Sequence, residues 1–340
     1  MIISGINNEG VLFMKKFFKY FFITLLIIII STGFIFRNRL SLYINIVTKF
    51  SDAKESLSTL DTISGYNDIK WMSDAQSEKV KYKSTNNKPL YLNIYNSKKE
   101  TKSPSPVILY VHGGSWVYGD DSIPQALSPI LDIFREEGYT IISVSYDISY
   151  NHIDFKKQIS DVKDAIRWVY KNSTAYNLNS NEIGLMGISA GAQLALVAAY
   201  SENDAFIDSP ELATYPSRVK YILDCFGPTD LSTLDPSNID PHLNRVFNSI
   251  ENKEELINKY SPINYLKEGL PPTLIIHSKV DSLVPYSNSE NLYIESKKLG
   301  NKVDLVSLDY LGHDLSNFTT EDGKKIALNV LNFVVHNSPL

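Results

Sequence analysis

Five residues, Gly187-Ile188-Ser189-Ala190-Gly191, constrain the fold of this chain more than any other stretch. An apolar run (Ile183, Leu185, Met186) precedes them and an alanine-rich run, 190–199, follows. That order is strand, sharp turn and helix, the setting in which a G-x-S-x-G elbow holds a serine out of the turn. The two glycines have a steric role, because in so tight a turn a Cβ at either position presses on the neighbouring strand or helix. Three fixed positions recur by chance in about one chain in ten of this size. The surrounding sequence therefore has to carry the reading.

Upstream, residues 106–111 form an apolar run of buried-strand length that ends in His112-Gly113-Gly114-Ser115-Trp116. Glycines do not obstruct a ligand's approach to the backbone, so the N–H groups of Gly113 and Gly114 can join that of Ala190 in an oxyanion hole. Downstream, 273–277 reads as another buried strand and is followed by Asp281. Residues 303–308 alternate like a strand and run into Tyr310-Leu311-Gly312-His313-Asp314. The resulting chain order is serine, acid, histidine, with Ser189 as candidate nucleophile, Asp281 as orienting acid and His313 as base. Asp230, Asp309 and Asp314 are the competing acids, with capping or turn hydrogen bonds as their ordinary use. Among the other histidines, His112 and His277 end strands, His152 and His242 lie in polar loop sequence, and His336 is close to the end. Trp116 and Tyr118 are candidates for lining a substrate pocket, the alternative being that they pack the loop.

These motifs resemble those of the α/β-hydrolase superfamily, in particular its bacterial esterase/lipase branch with a His-Gly-Gly oxyanion loop, related to hormone-sensitive-lipase-like and feruloyl-esterase-like enzymes. The matching stretches run from 107 to 313, with further matches at Gln158, Asp161, Ala165 and Trp168 and at Gly227-Pro228-Thr229-Asp230-Leu231. The chain departs from the pattern at Ser115, where many relatives have a third glycine, and at Ser278, where a glycine is usual. The resemblance implies a serine hydrolase that cleaves small-molecule carboxylic esters through an acyl-enzyme, with no cofactor and no metal. An amidase or peptidase on the same fold is the alternative, since fold does not fix substrate. A non-catalytic surface binding module is the third reading, which loss of any one of the three residues would have favoured.

The pattern of elements points to an α/β-hydrolase fold: a mostly parallel, doubly wound sheet with helices on both faces. Two antiparallel strands are predicted near 79–83 and 90–95, divided by Asn86-Asn87, and parallel strands at 107–111, 140–145, 183–186, 219–226, 273–277 and 303–308. Phe155, Ile159, Val162, Ile166 and Val169 recur at helical spacing and define one face of a helix. The insert 227–270, rich in Asn, Asp, Ser and Pro, is long for a connection and reads as a small lid, or else as a surface excursion without a role.

Of the 340 residues 43% are hydrophobic, enough for a large core, and a net charge of −5 gives no general basic surface for nucleic acid. The single cysteine, Cys225, excludes an intramolecular disulfide and reads as a small buried hydrophobe. No Cys or His spacing suits a metal, and no glycine-rich loop precedes a lysine as a phosphate cradle requires. At the N-terminus Lys15, Lys16 and Lys19 precede the uncharged stretch 20–36, and Arg37 and Arg39 follow it. Helical rise over that stretch is about 25 Å, the short end of a membrane span. The expected organisation is a cytoplasmic segment 1–19, a transmembrane anchor 20–36, a stalk 37–78 and a catalytic domain 79–340 on the outer side of the membrane. Cleavage near Gly33 as a signal peptide, with secretion, is the rival. Oligomeric state is not legible in the sequence.

Overall fold

The computed structural model describes residues 77–338, apart from 86, 87, 101, 102, 125, 126 and 239, together with the isolated positions Ile44 and Thr48. The expected anchor 20–36 and nearly all of the expected stalk lie outside the described residues. Among the described residues no helix is long and apolar enough to cross a membrane.

Eight strands, β1 (Glu78–Thr85), β2 (Lys88–Tyr95), β3 (Ser105–Val111), β4 (Thr140–Val144), β5 (Leu178–Ile188), β6 (Tyr221–Cys225), β7 (Thr273–Ser278) and β8 (Val303–Leu308), form one sheet. Their spatial order is β1-β2-β4-β3-β5-β6-β7-β8. The first hairpin is antiparallel and β2 runs antiparallel to β4, while every pairing from β4 to β8 is parallel. Sequence and structure agree on all eight strands; β5 is longer than the predicted 183–186, and β6 is shorter than 219–226. All residues of β3, β4, β6 and β7 are buried, as strands covered on both faces must be. The outer strands are more polar: Lys79 and Lys81 of β1 and Asp304 of β8 reach the surface, which protects the sheet edges.

Helices α1 (Ser128–Glu136) and α7 (Thr320–Asn337) cover one face of the sheet. The other face carries α2 (Phe155–Asn172), α3 (Ala190–Tyr200) and, toward β7 and β8, α6 (Ser287–Lys298). The five α2 positions expected to face the core are all buried. Its opposite side is buried too, which apolar spacing alone does not reveal. Lys83 of β1 lies 2.7 Å from both Asp161 and Asp164 of that helix, and Arg167 pairs with Asp164 at 2.9 Å. Charges withdrawn from water this fully have to be matched by opposite charge, so the cluster ties the antiparallel hairpin to α2 in a fixed register.

The insert 227–270 carries two helices, α4 (Pro241–Asn248) and α5 (Lys253–Tyr260), and short 3-10 turns. Leu243, Val246, Phe247, Ile257 and Tyr260 join the core formed by α2 and α3. These apolar residues seat both helices of the insert on that core. Asp240 and Leu243 of the insert line the cavity described below.

Candidate active site

Strand β5 ends at Ile188 and α3 begins at Ala190, leaving Ser189 alone at the bend with φ 53° and ψ −123°. A serine in that left-handed region is strained by roughly 1–3 kcal/mol, and the neighbouring elements hold it there. Its N–H donates to the Cys225 carbonyl of β6 at 2.8 Å. A Cβ on Gly187 would meet Ala192 Cα at 2.4 Å, and one on Gly191 would meet the Val111 and His112 carbonyl oxygens at 2.3 Å. Both glycines are therefore required by the packing of helix against strand.

Ser189 Oγ lies 2.8 Å from His313 Nε2, and His313 Nδ1 lies 2.7 Å from Asp281 Oδ2. The three residues come from the end of β5, the loop after β8 and the loop after β7. Asp281 is buried, and its second oxygen accepts the N–H groups of Leu283 and Val284, each at 2.9 Å. Burial by itself would raise the Asp281 pKa. Hydrogen bonds from His277 and His313, the His313 charge and the Val284 N–H overcome it and hold the carboxyl well below the usual carboxylate range. Asp281 is thus an ionised acceptor that fixes the proton of His313 on Nδ1 and leaves the Nε2 lone pair for the Ser189 hydroxyl.

The competing acids are engaged elsewhere. Asp230 caps the turn Leu231–Thr233, Asp309 pairs with Lys279 at 2.8 Å, and Asp314 accepts the Ser316 N–H at 3.0 Å.

Facing Ser189 is the loop after β3. A Cβ on Gly113 would lie 3.3 Å from Ser189 Cβ and 3.0 Å from the Ile188 carbonyl, so the glycine backbone reaches the elbow directly. Gly114, Ser115 and Trp116 all have positive φ, and the Val117 and Tyr118 N–H groups close the loop on the Gly114 carbonyl. Ala190 is the first residue of α3, where an N–H has no intrahelical acceptor and the helix dipole favours negative charge. The structure thus places Gly113 against Ser189, Gly114 beside it in the wall of the same cavity, and Ala190 next to Ser189 at the start of α3.

His112 braces this loop. Its Nδ1–H donates to the Gly113 carbonyl at 2.7 Å and its ring stacks on Tyr146. Burial pushes its pKa down to about 4 against smaller opposing contributions from that carbonyl and Asp120, so His112 is neutral at physiological pH.

Of the two aromatic candidates, Tyr118 lines the cavity and donates its hydroxyl to Asp240. Trp116 does not line it, contrary to expectation. Its indole packs against Phe155 and Phe247 in the core and its Nε1–H donates to Gln193 Oε1 at 2.9 Å. A large ring with a single donor finds both apolar contact and an acceptor there. Gln193 in turn donates to the Tyr260 carbonyl, and Gln158 donates to the Trp116 carbonyl. These two glutamines and His277 are positioning residues that the sequence reading did not single out for this role. The available signals were Gln193 as a polar residue within an alanine-rich helix and His277 four residues before the acid.

His277 Nε2 lies 3.1 Å from Asp281 Oδ2 and 3.0 Å from the Val284 carbonyl, while its Nδ1 lies 2.6 Å from Ser289 Oγ. A carbonyl can only accept, so Nε2 carries the hydrogen and Nδ1 accepts from Ser289. On the same side of the sheet, Asp224 of β6 accepts the Gly227 N–H at 3.0 Å through one oxygen, and its other oxygen has no hydrogen-bond partner among the described residues. Burial raises its pKa to about 7, against the lowering effects of His277 and the Gly227 N–H. The folded state then binds more protons than the unfolded one, whose carboxyl titrates near ~3.9. Stability from this group is full below that value and is lost as pH rises to about 7. Asp224→Asn is expected to flatten this dependence. At pH 8 it should be the more stable protein by roughly 2 kcal/mol, the ionisation cost being offset by an amide left without a partner, and it should gain nothing at pH 4. Urea unfolding at the two pH values checks both parts.

A cavity of about 450 Å³ opens onto Ser189 and His313, with Gly114, Tyr118, Asp240 and Leu243 among its walls and Gly119 and Asp120 exposed at its edge. Residues 92–295, more than half of the chain, match the BD-FAE family. The chain belongs to the BD-FAE family. Among curated proteins, the chain is similar to the esterase LipC of Mycobacterium tuberculosis, 27% identical over 205 residues, 59% of this chain and 50% of LipC. Esterase LipQ of the same organism is 30% identical over 189 residues, 54% of this chain and 44% of LipQ. The chain spans about half the length of the curated relatives it matches. Its fold is that of a thermophilic esterase from Thermogutta terrifontis, Est2, solved with butyrate bound: the TM-score is 0.64 at 23% identity, over 79% of this chain and 98% of that one.

Proposed function

We propose that this BD-FAE domain is a serine hydrolase that cleaves carboxylic esters through an acyl-enzyme. The observation that carries the reading is the unbroken chain of hydrogen bonds from Ser189 Oγ through His313 to Asp281, with glycine backbone facing the hydroxyl. The LipC and LipQ relatives, both described as esterases, support the choice of ester as substrate.

Ser189 Oγ attacks the ester carbonyl carbon as His313 Nε2 takes its proton, and Asp281 stabilises the imidazolium through Nδ1–H. The N–H groups of Gly113, Gly114 and Ala190 receive the oxyanion. His313 then protonates the departing alcohol, and water, activated by the same imidazole, releases the acid. A fluorophosphonate probe is expected to label wild-type protein at Ser189, and matched ester and anilide substrates should show turnover of the ester by a wide margin. Labelling with anilide turnover equal to ester turnover would convert the reading to an amidase. No labelling and no turnover of either would leave a binding module.

The same proposal includes a membrane anchor over residues 20–36, with the catalytic domain outside. It is supported by the lack of any charge in that stretch and by the basic residues on both sides of it. Full-length protein should sediment with membranes and be degraded by protease added to intact cells. A mature chain about 33 residues shorter would mean signal-peptide cleavage instead.

A further inference from the structure

The cavity at Ser189 does not end at the reacting atoms. Beyond the elbow it continues between the sheet and the helices of the α1/α7 face: Tyr110, Met186 and Leu223 of three neighbouring strands form one wall, and Phe134 of α1 with Ile326 and Val330 of α7 form the other. The two carboxylates among its walls, Asp120 and Asp240, belong to the outer end: Asp120 is exposed, and Asp240 caps α4 and accepts the Tyr118 hydroxyl. The interior is therefore almost wholly apolar, and an apolar space of this kind does not hold ordered water.

We propose that this space is an acyl channel, and that the ester cleaved at Ser189 carries a long aliphatic acyl chain. The inference rests on the ester-hydrolase reading of the same site. Three physical arguments support it. The first is size: a cavity of ~150 Å³ takes the six carbons of benzene, so about 450 Å³ is far more than an acetyl group fills and suits a chain on the order of a dozen carbons. The second is polarity. A sugar in this space would lose hydration at every hydroxyl with few partners to replace it, whereas a methylene chain gains from each carbon buried. The third is the order of events in an acyl-enzyme mechanism. The alcohol leaves and water arrives between the two chemical steps, while the acyl arm stays attached to Ser189. The arm that lies in the deep channel is therefore the acyl arm, and the mouth beside Tyr118, Gly119 and Asp120 is left for the alcohol and the water.

The test uses the full-length protein and two ester series below their micelle concentrations. In one, the acyl chain lengthens on a fixed small alcohol; in the other, acetyl is fixed and the alkyl alcohol lengthens. The expected result is a rise in kcat/KM of about fourfold per added methylene in the acyl series, the factor equivalent to ~0.8 kcal/mol, and little change in the alcohol series. Ile326→Trp and Val330→Phe, which narrow the space from its α7 wall, should each lower the ratio of dodecanoate to butyrate turnover by at least tenfold. A ratio taken within one preparation cancels any loss of folded enzyme. A kcat/KM that peaks at acetate, or a ratio that neither variant changes, overturns the channel while leaving ester hydrolysis intact. A rise confined to the alcohol series overturns the acyl assignment. Absence of turnover with any ester, together with absence of fluorophosphonate labelling, overturns the underlying reading as well.

Discussion

Ser189→Ala is expected to lower ester turnover on the order of 10⁶-fold while leaving the fold unchanged. The loss should be this large because Ser189 is the only hydroxyl hydrogen-bonded to His313 among the described residues. Cys225, the only thiol, is buried in β6, and burial pushes its pKa far above the usual thiol range, so it supplies no thiolate. The fold should survive because the side chain removed is small, and the backbone bond from the Ser189 N–H to the Cys225 carbonyl does not involve it. Alanine keeps the Cβ that already tolerates the left-handed φ, so the strain at the bend is unaltered. Circular dichroism and thermal unfolding should match wild type, and the fluorophosphonate label should disappear. Turnover retained within a factor of ten in a clean preparation would remove Ser189 from the chemistry.

The inner strands of the sheet were legible because parallel strands buried on both faces read as unbroken apolar runs, and the outer ones because polar and apolar residues alternate between turn residues. The elbow was legible for a related reason. Gly187 is needed by contacts with Gly191 and Ala192 just past the bend, so that requirement is written locally, whereas Gly191 is needed by the Val111 and His112 carbonyls at the end of β3, 80 and 79 positions away. Chain order brought Asp281 and His313 into consideration, since each follows a strand that lies beyond the serine's own.

What the sequence did not disclose depends on contacts between distant segments. Trp116 looks like any aromatic beside an oxyanion loop; its direction is set by Phe155, Phe247 and Gln193, which lie 39, 131 and 77 positions away. The buried ion cluster of Lys83, Asp161, Asp164 and Arg167 is hidden in the same way, because a charged helix face next to an apolar one is ordinarily solvated. The depth of the cavity was also beyond reach. It is a property of how α1 and α7 sit over the sheet, and none of its apolar wall residues differs in type from a core residue.

Asp281→Asn is expected to lower kcat by about 10⁴-fold, and the reason is the number of donors this carboxylate receives. One oxygen accepts two backbone N–H groups, from Leu283 and Val284, and the other accepts His313 and His277. All four are donors, so only a group that accepts on both sides satisfies them. An asparagine amide has to turn its NH₂ to one side. Toward Leu283 and Val284 it would set donor against donor on the backbone that shapes the loop. Toward the histidines it forces His313 to accept at Nδ1 and to carry its proton on Nε2, where the imidazole can no longer take the proton of Ser189. His277 would then exchange its tautomer as well and give up the Val284 carbonyl. The second arrangement leaves Ser189 in place without a base, and the first disturbs the loop that holds residue 281 and removes the charge that stabilises the imidazolium. Asp230→Asn and Asp314→Asn, whose side chains serve only local turns, should stay within a few-fold of wild type. The substitution should also show in acid. The depressed pKa of Asp281 gives stability that is fully present above the unfolded value near ~3.9 and is lost as pH falls below it toward the folded value, so the wild type's advantage over Asp281→Asn should shrink in that range. If Asp281→Asn kept near-normal kcat while a change at Asp230 or Asp314 was severe, the acid would belong to that residue and the Asp281 network would be structural.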